Sequence, residues 1–360
     1  MMRWDLTPAA DRASTPRSDE WCDRLVTDGR GRDLQASFGL AAAGSDYSIP
    51  IERDATVTRR VYLRPGWAGK FASKVGAKHV TGRIPPANGR DGHKVTITPD
   101  GHETDFWGLS WATAQSMQRP QSAAVFHGAN WLTRPPFQMS ADAVAATVVE
   151  CRRPDGAWIA DDDTGNAQGF ICAPLSRGVT LAAEVASGVV RHALRCSTGF
   201  PLAGPLAPSE VQMDDPRIGT QWAATGLPCG LHEGHGKTVT GCTPHGLHVV
   251  VEKTDRQIDA DLDAAKLTGG AREVSRVLRV ALRDYGVAFL LSAAAGGAPT
   301  IQCNGADAQA WRKLGVPSKG RSILAGAIDS AAELRALAWP TTVVDGRVTN
   351  RATWCAEMTV

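Results

Sequence analysis

Chemistry-bearing side chains concentrate between Asp91 and Trp107, where Asp91-Gly92-His93 opens the stretch and Glu103-Thr104-Asp105-Phe106-Trp107 closes it. Glu103, Asp105 and Trp107 recur every second residue, the interval at which a β-strand returns to one face. An extended chain therefore presents them together. That set suits carbohydrate: an indole covers the apolar face of a sugar ring while carboxylates accept from its hydroxyls. Paired carboxylates can also share the acid and base work of glycosidic cleavage, which needs a set separation between them and a raised pKa on one. An ordinary solvated outer face, its acids screened by Lys94, is the competing reading. His93, two residues after Asp91, reads as a hydrogen-bonded structural histidine rather than a base.

The element that must position these groups is a hairpin. Residues 93–98 alternate in character, and Pro99-Asp100-Gly101-His102 has turn chemistry. Pairing Thr98 with Glu103 sets Ile97 against Thr104, Thr96 against Asp105, Val95 against Phe106 and Lys94 against Trp107. In that register Val95, Ile97 and Phe106 make an apolar face with His93 and Asp91 in phase. Glu103, Asp105 and Trp107 then share the opposite face with Lys94, Thr96 and Thr98.

A second cluster is Cys229-x2-His232-x2-His235, repeated as Cys242-x2-His245-x2-His248. Six soft or borderline ligands so close together have the local composition of a zinc site. The spacing matches no standard structural zinc motif, and Gly and Pro are interspersed where a finger would need an apolar helix, so a flexible loop competes with zinc. His245 and His248 lead into Val249-Val250-Val251, where a histidine can simply face outward on a strand. A Cys229–Cys242 disulfide is the third reading, open in an oxidising compartment.

Composition narrows the classes. The chain has 360 residues, 43% apolar and 21% charged, with 37 Gly and 21 Pro, which points to an ordered, turn-rich protein built on strands. A net charge of +2 argues against nucleic acid, whose phosphates demand a basic stripe. No run approaches the roughly 18 apolar residues of a bilayer span. The opening, with Asp11 and Arg12 where a signal peptide would be apolar, leads us to expect synthesis in the cytoplasm without Sec export. Eight scattered cysteines read as free thiols, and 11 Trp divide between core and a flat binding or interface surface.

Along the chain, residues 1–45 read as an N-terminal arm or attachment segment and 46–305 as the body, with an insertion near 112–144 and a C-terminal extension over 306–360. Strands are expected at 47–51, 60–63, 287–291 and 300–302, and a hairpin around Arg153-Pro154-Asp155-Gly156. Residues 182–193 read as a helix running into a strand. An amphipathic helix is expected over 271–285, and a short helix over 330–338. The fold class is all-β or β-rich α+β, with a β-sandwich or jelly-roll-like body and a few packed helices.

Taken in order, Ile49-Pro50-Ile51, Ile84-Pro85-Pro86-Ala87, Asp91-Gly92-His93, Glu103-x-Asp105-Phe106-Trp107, Val190-Arg191-His192-Ala193-Leu194 and Ala281-Leu282-Arg283-Asp284-Tyr285-Gly286 resemble an uncharacterised family. It is found in high-GC Gram-positive bacteria and their phages, where members appear among minor tail or other virion proteins. The resemblance runs from about Tyr47 to Gln302. It implies a sandwich-like body and a place on a virion or cell surface, and it adds His192 to Asp91, His93, Glu103, Asp105 and Trp107 as the candidate substrate-binding set. The chain departs from the family by its insertion after Trp107. It also carries Ala223-Ala224-Thr225-Gly226 and the Cys/His segment in place of a Thr-His-Ser-Asp-Gly-like loop.

The expected function is recognition of a bacterial cell-surface polysaccharide by a virion protein, held to other virion proteins through residues 1–45. A symmetric homo-oligomer is compatible with that place, and neither nucleic acid nor membrane insertion is expected. A glycan hydrolase or lyase using Glu103, Asp105, His93 and His192 is the first alternative, and a purely structural virion component the second. No cofactor is expected beyond zinc at Cys229 to His248.

Overall fold

The computed structural model describes residues 8–14, 18–27, 39–41, 48–53, 59–63, 78–80, 84, 87, 93–97, 99, 103–111, 141–147, 176, 178–198, 247–292, 299–316, 323–337, 343–344 and 347–348. In chain order the elements are α1 (Ser18–Thr27), β1 (Gly39–Ala41), β2 (Ile51–Glu52), β3 (Arg59–Leu63), β4 (Lys78–Val80), β5 (Lys94–Ile97), β6 (Glu103–Trp111) and β7 (Ala141–Thr147). There follow α2 (Ala182–Ala186), β8 (Leu194–Thr198), β9 (His248–Val251), α3 (Asp255–Ala264), α4 (Gly269–Asp284), β10 (Val287–Ser292), β11 (Thr300–Gln302), α5 (Ala308–Lys313), β12 (Leu334–Ala336), β13 (Val343–Val344) and β14 (Arg347–Val348). The expected insertion near 112–144 and the hairpin around Pro154 lie outside the described residues, except for β7.

Two six-stranded sheets result, ordered β2-β5-β6-β7-β3-β4 and β1-β11-β8-β10-β9-β12. Both are mixed. In the first, β2 with β5 and β3 with β7 run parallel; in the second, β1 with β11 and β8 with β10 do. Parallel neighbours need crossover connections: between the parallel pair β8 and β10 the chain passes through β9, α3 and α4.

The amphipathic helix expected over 271–285 forms as α4. Val274, Leu278, Ala281 and Leu282 return every three or four residues and are all buried. It ends because Gly286 takes φ +85°, with its N–H bonded to Ala281 O at 2.9 Å. A Cβ there would stand 2.5 Å from Val249 O and 2.8 Å from His248 Nε2, so only glycine lets the chain turn directly into β10. Helix α3 was not expected. Its signal was local: the Thr254 hydroxyl accepts from Gln257 N–H at 3.3 Å while Gln257 Oε1 accepts from Thr254 N–H at 2.8 Å, a capping box ahead of buried Ile258 and Leu262.

One apolar cluster runs from Trp21, Cys22 and Leu25 of α1 through Leu194, Val249, Leu278 and Phe289 to Trp311, Leu324 and Leu334. Stretches read from sequence as an N-terminal arm and a C-terminal extension therefore supply α1, β1, α5 and β12 to this body. The short helix expected over 330–338 is instead a 3-10 turn, Ala331–Glu333, leading into β12. Leu334 and Ala336 are buried and Arg335 between them is not, a period of two that pairing with β9 rewards. Where the body meets the first sheet, Asn304 is the fastening. Its Oδ1 accepts from Ile51 N–H and from Ala306 N–H, each at 3.0 Å, while Ile49 N–H donates to Cys303 O at 2.9 Å. The chain entering β2 is thus sewn to the chain leaving β11.

Candidate functional site

The hairpin expected around Pro99 forms, but in a register one residue from the expected one. Lys94 stands opposite Phe106, Val95 opposite Asp105, Thr96 opposite Thr104 and Ile97 opposite Glu103. Directly opposed residues share a face, so a slip of one exchanges every partner's face. Positions 103, 105 and 107 fall on the face of Val95 and Ile97, with His93 in phase, and Lys94 and Thr96 go with 104 and 106. The cause lies on the β5 side. Val95 is fully buried with Ile49, Ile51 and Val179, and Ile97 packs against the same cluster, while β2 runs parallel to β5 with Ile51 beside Val95.

In the competing reading of a solvated outer face, Lys94 screens the acids of β6. It is fully buried on the opposite face, where its ammonium donates to Glu52 Oε2 at 2.7 Å and to Ile84 O at 2.6 Å. A buried ammonium needs such a carboxylate and carbonyl set, since leaving either ion alone there costs several kcal/mol, about 3–5. This pair ties β2 to β5 and is structural. His93 is buried too, and its carbonyl accepts from Ala87 N–H at 2.8 Å. The side chains of Glu103, Asp105 and Trp107 and the whole of Asp91 lie outside the described residues.

His192 stands in the turn between α2 and β8. Its Nδ1 is 2.9 Å from Ala193 O and its Nε2 is 3.3 Å from Glu184 Oε2. Both ring nitrogens therefore face acceptors, and only the imidazolium donates from both. Glu184, which the sequence reading did not single out, also accepts from Leu181 N–H at 3.0 Å and so closes the first turn of α2. Burial would raise its carboxyl, but the hydrogen bond and charge of His192, the Leu181 N–H and the charge of Arg53 outweigh it and hold it below the usual carboxylate value. Arg53 directly follows β2, so this ion pair lies within electrostatic reach of the edge strand beside the hairpin. Chemically the pair offers an imidazole fixed beside one half-shielded carboxylate.

No family model, curated protein or solved structure matches this chain. Its site must be argued from its own atoms.

Of the Cys/His segment only His248 falls among the described residues; Cys229, His232, His235, Cys242 and His245 lie outside them. The strand expected at Val249 forms as β9, but His248 does not face outward. It is fully buried, with Nε2–H donating to Tyr285 O at 2.8 Å and Nδ1 accepting from the Arg12 guanidinium. Burial and the Arg12 charge push its pKa well below the ordinary histidine value, against the opposing bond to Tyr285 O. Both ring nitrogens are thus engaged, one of them by a guanidinium. Among the described residues no group of three or more His, Cys, Asp or Glu is placed to hold a metal ion, and no helix is long and apolar enough to cross a membrane.

Proposed function

We propose that this chain is a virion-associated protein that recognises a bacterial cell-surface polysaccharide through the β6 face of its first sheet. The observation that carries the reading is β6 itself, a nine-residue strand along which the positions of Glu103, Asp105 and Trp107 recur in phase. A row of that length suits an extended polymer, because alternate residues repeat about every 7 Å along the strand. The resemblance to minor tail and virion proteins supplies the setting, with the two sheets taken as layers of a sandwich-like body and residues 1–45 as the link to other virion proteins.

A degrading enzyme using Glu103, Asp105, His93 and His192 is the second reading. What favours it is the Glu184–His192 pair, an imidazole 3.3 Å from a carboxylate, the kind of positioned group that general acid–base cleavage uses. One assay separates the two. Purified protein is incubated with cell-wall polysaccharide from a high-GC Gram-positive bacterium, and both retention on the polymer and appearance of reducing or unsaturated ends are recorded. Retention without new ends, lost in Trp107→Ala, is the expected result. New ends, lost in Glu103→Gln, would replace recognition by degradation. Neither retention nor new ends would overturn both and leave a purely structural component.

A further inference from the structure

We propose that residues 8–14 form an acid-released strap across the edge of the second sheet, with His248 as its trigger. The strap begins with a 3-10 turn, Ala9–Asp11, whose Ala9 is buried in a small cluster with Val250 and Leu337. Ser14 makes an antiparallel bridge to Leu337, and the Arg335 guanidinium of β12 donates to Ala9 O at 3.3 Å and Arg12 O at 3.2 Å. The remaining anchor is Arg12, donating to Nδ1 of His248. Ala9 against Val250 and Leu337, with a handful of polar contacts, holds this segment, whereas α1 beyond it is set in the main core by Trp21 and Leu25.

The trigger follows from donors and acceptors. Nε2–H of His248 is committed to Tyr285 O, so Nδ1 carries the lone pair that Arg12 needs. A proton on Nδ1 converts that acceptor into a donor facing a group that has only donors, and brings two cations together in a buried place. Turning the ring does not help, because both nitrogens of an imidazolium donate. The described residues packed around the ring bring the following charged and polar groups. From the strap itself come Arg12 and the exposed Asp11. From β12 comes Arg335, paired with Glu252 just past β9. From the end of α4 come the Tyr285 carbonyl and the Arg283–Asp284 pair, which also engages Asp255 of α3. From β10 comes apolar Ala288, opposite His248, and from β8 comes Arg195, bound to Gln302 at 2.7 Å.

The docked strap requires neutral His248, and release removes the Arg12 charge so that the pKa of the ring rises toward the ordinary value. Its folded pKa is depressed, so docking is at full strength above the ordinary histidine value of 6.5 and is lost as pH falls below it. For a single proton the docking equilibrium weakens by up to about thirty-fold at pH 5. Release bares the β12 edge beside Leu337 and frees the N-terminal residues for another protein. This holds or fails independently of the glycan reading.

Hydrogen–deuterium exchange on the full chain, corrected for intrinsic rates, tests it. The peptide covering 8–14 should open about ten-fold or more between pH 7.5 and 5.0 while α4 stays protected. In His248→Gln, whose amide accepts from Arg12 and donates to Tyr285 without titrating, the pH dependence should vanish. Should that variant fail to fold, Arg12→Gln removes the like charge and must reduce the acid response. Unchanged protection of wild type at pH 5.0, parallel opening of α4, or an undiminished acid response in the variant that folds would each overturn the strap.

Discussion

Val95 stands directly opposite Asp105 in the β5–β6 hairpin. That single pairing decides which positions can work together. Expected partners Thr96 and Lys94 belong to the other face, where Lys94 is spent on Glu52, and the acid and indole positions of β6 share a face with an apolar row instead.

The register predicts a cross-linking outcome. Thr96→Cys with Thr104→Cys places two Cβ atoms on one face about 5 Å apart and should oxidise to a disulfide, whereas Thr96→Cys with Asp105→Cys lie on opposite faces and should not. Mass spectrometry of the oxidised peptides gives the answer, and a bond only in the second pair would return the hairpin to the slipped register.

Lys94 and Glu52 should behave as a coupled pair. Either Lys94→Met or Glu52→Leu alone leaves a buried ion without its partner and should cost about 3–5 kcal/mol in urea unfolding. The double variant should recover most of that loss, so additive single losses would show that the two ions act separately.

The Glu184–His192 pair should appear in acid stability. Glu184 has a folded pKa below 4.5, so its contribution is complete above that pH and disappears as pH falls through the depressed value. Glu184→Gln should therefore be less stable than wild type by about 0.5–1 kcal/mol near neutrality, a modest figure for a side chain about a third exposed, and the gap should close toward pH 3. Thermal denaturation across pH 3–7 measures it; a gap that widens in acid would contradict the pairing.

Cys22, Cys196 and Cys303 should resist thiol reagents in the native state. All three are free and buried; burial lifts Cys22 to about 11, against weaker lowering by Ser18 and Ala336, and raises the other two further. At pH 8, peptide mapping after iodoacetamide should find them unmodified until denaturant is added.

Local pattern was enough for much of this molecule. Apolar residues three and four apart announced α4, alternation and turn residues announced the hairpin, β10 and β11, and the spacing of Glu103, Asp105 and Trp107 already implied a common face. A capping box was equally local and would have disclosed α3. Which face that common set occupies was not local. It depended on Ile49, Ile51 and Val179 arriving from distant parts of the chain to bury Val95, because either hairpin register satisfies the backbone and only the packing chooses between them. The two histidines follow the same rule. Nothing in their neighbouring residues separates His192 from His248, yet the fold gives one ring two acceptors and the other a guanidinium and a carbonyl. Side-chain chemistry is written in the sequence, but protonation and facing are set by partners that only the folded chain brings within hydrogen-bonding distance.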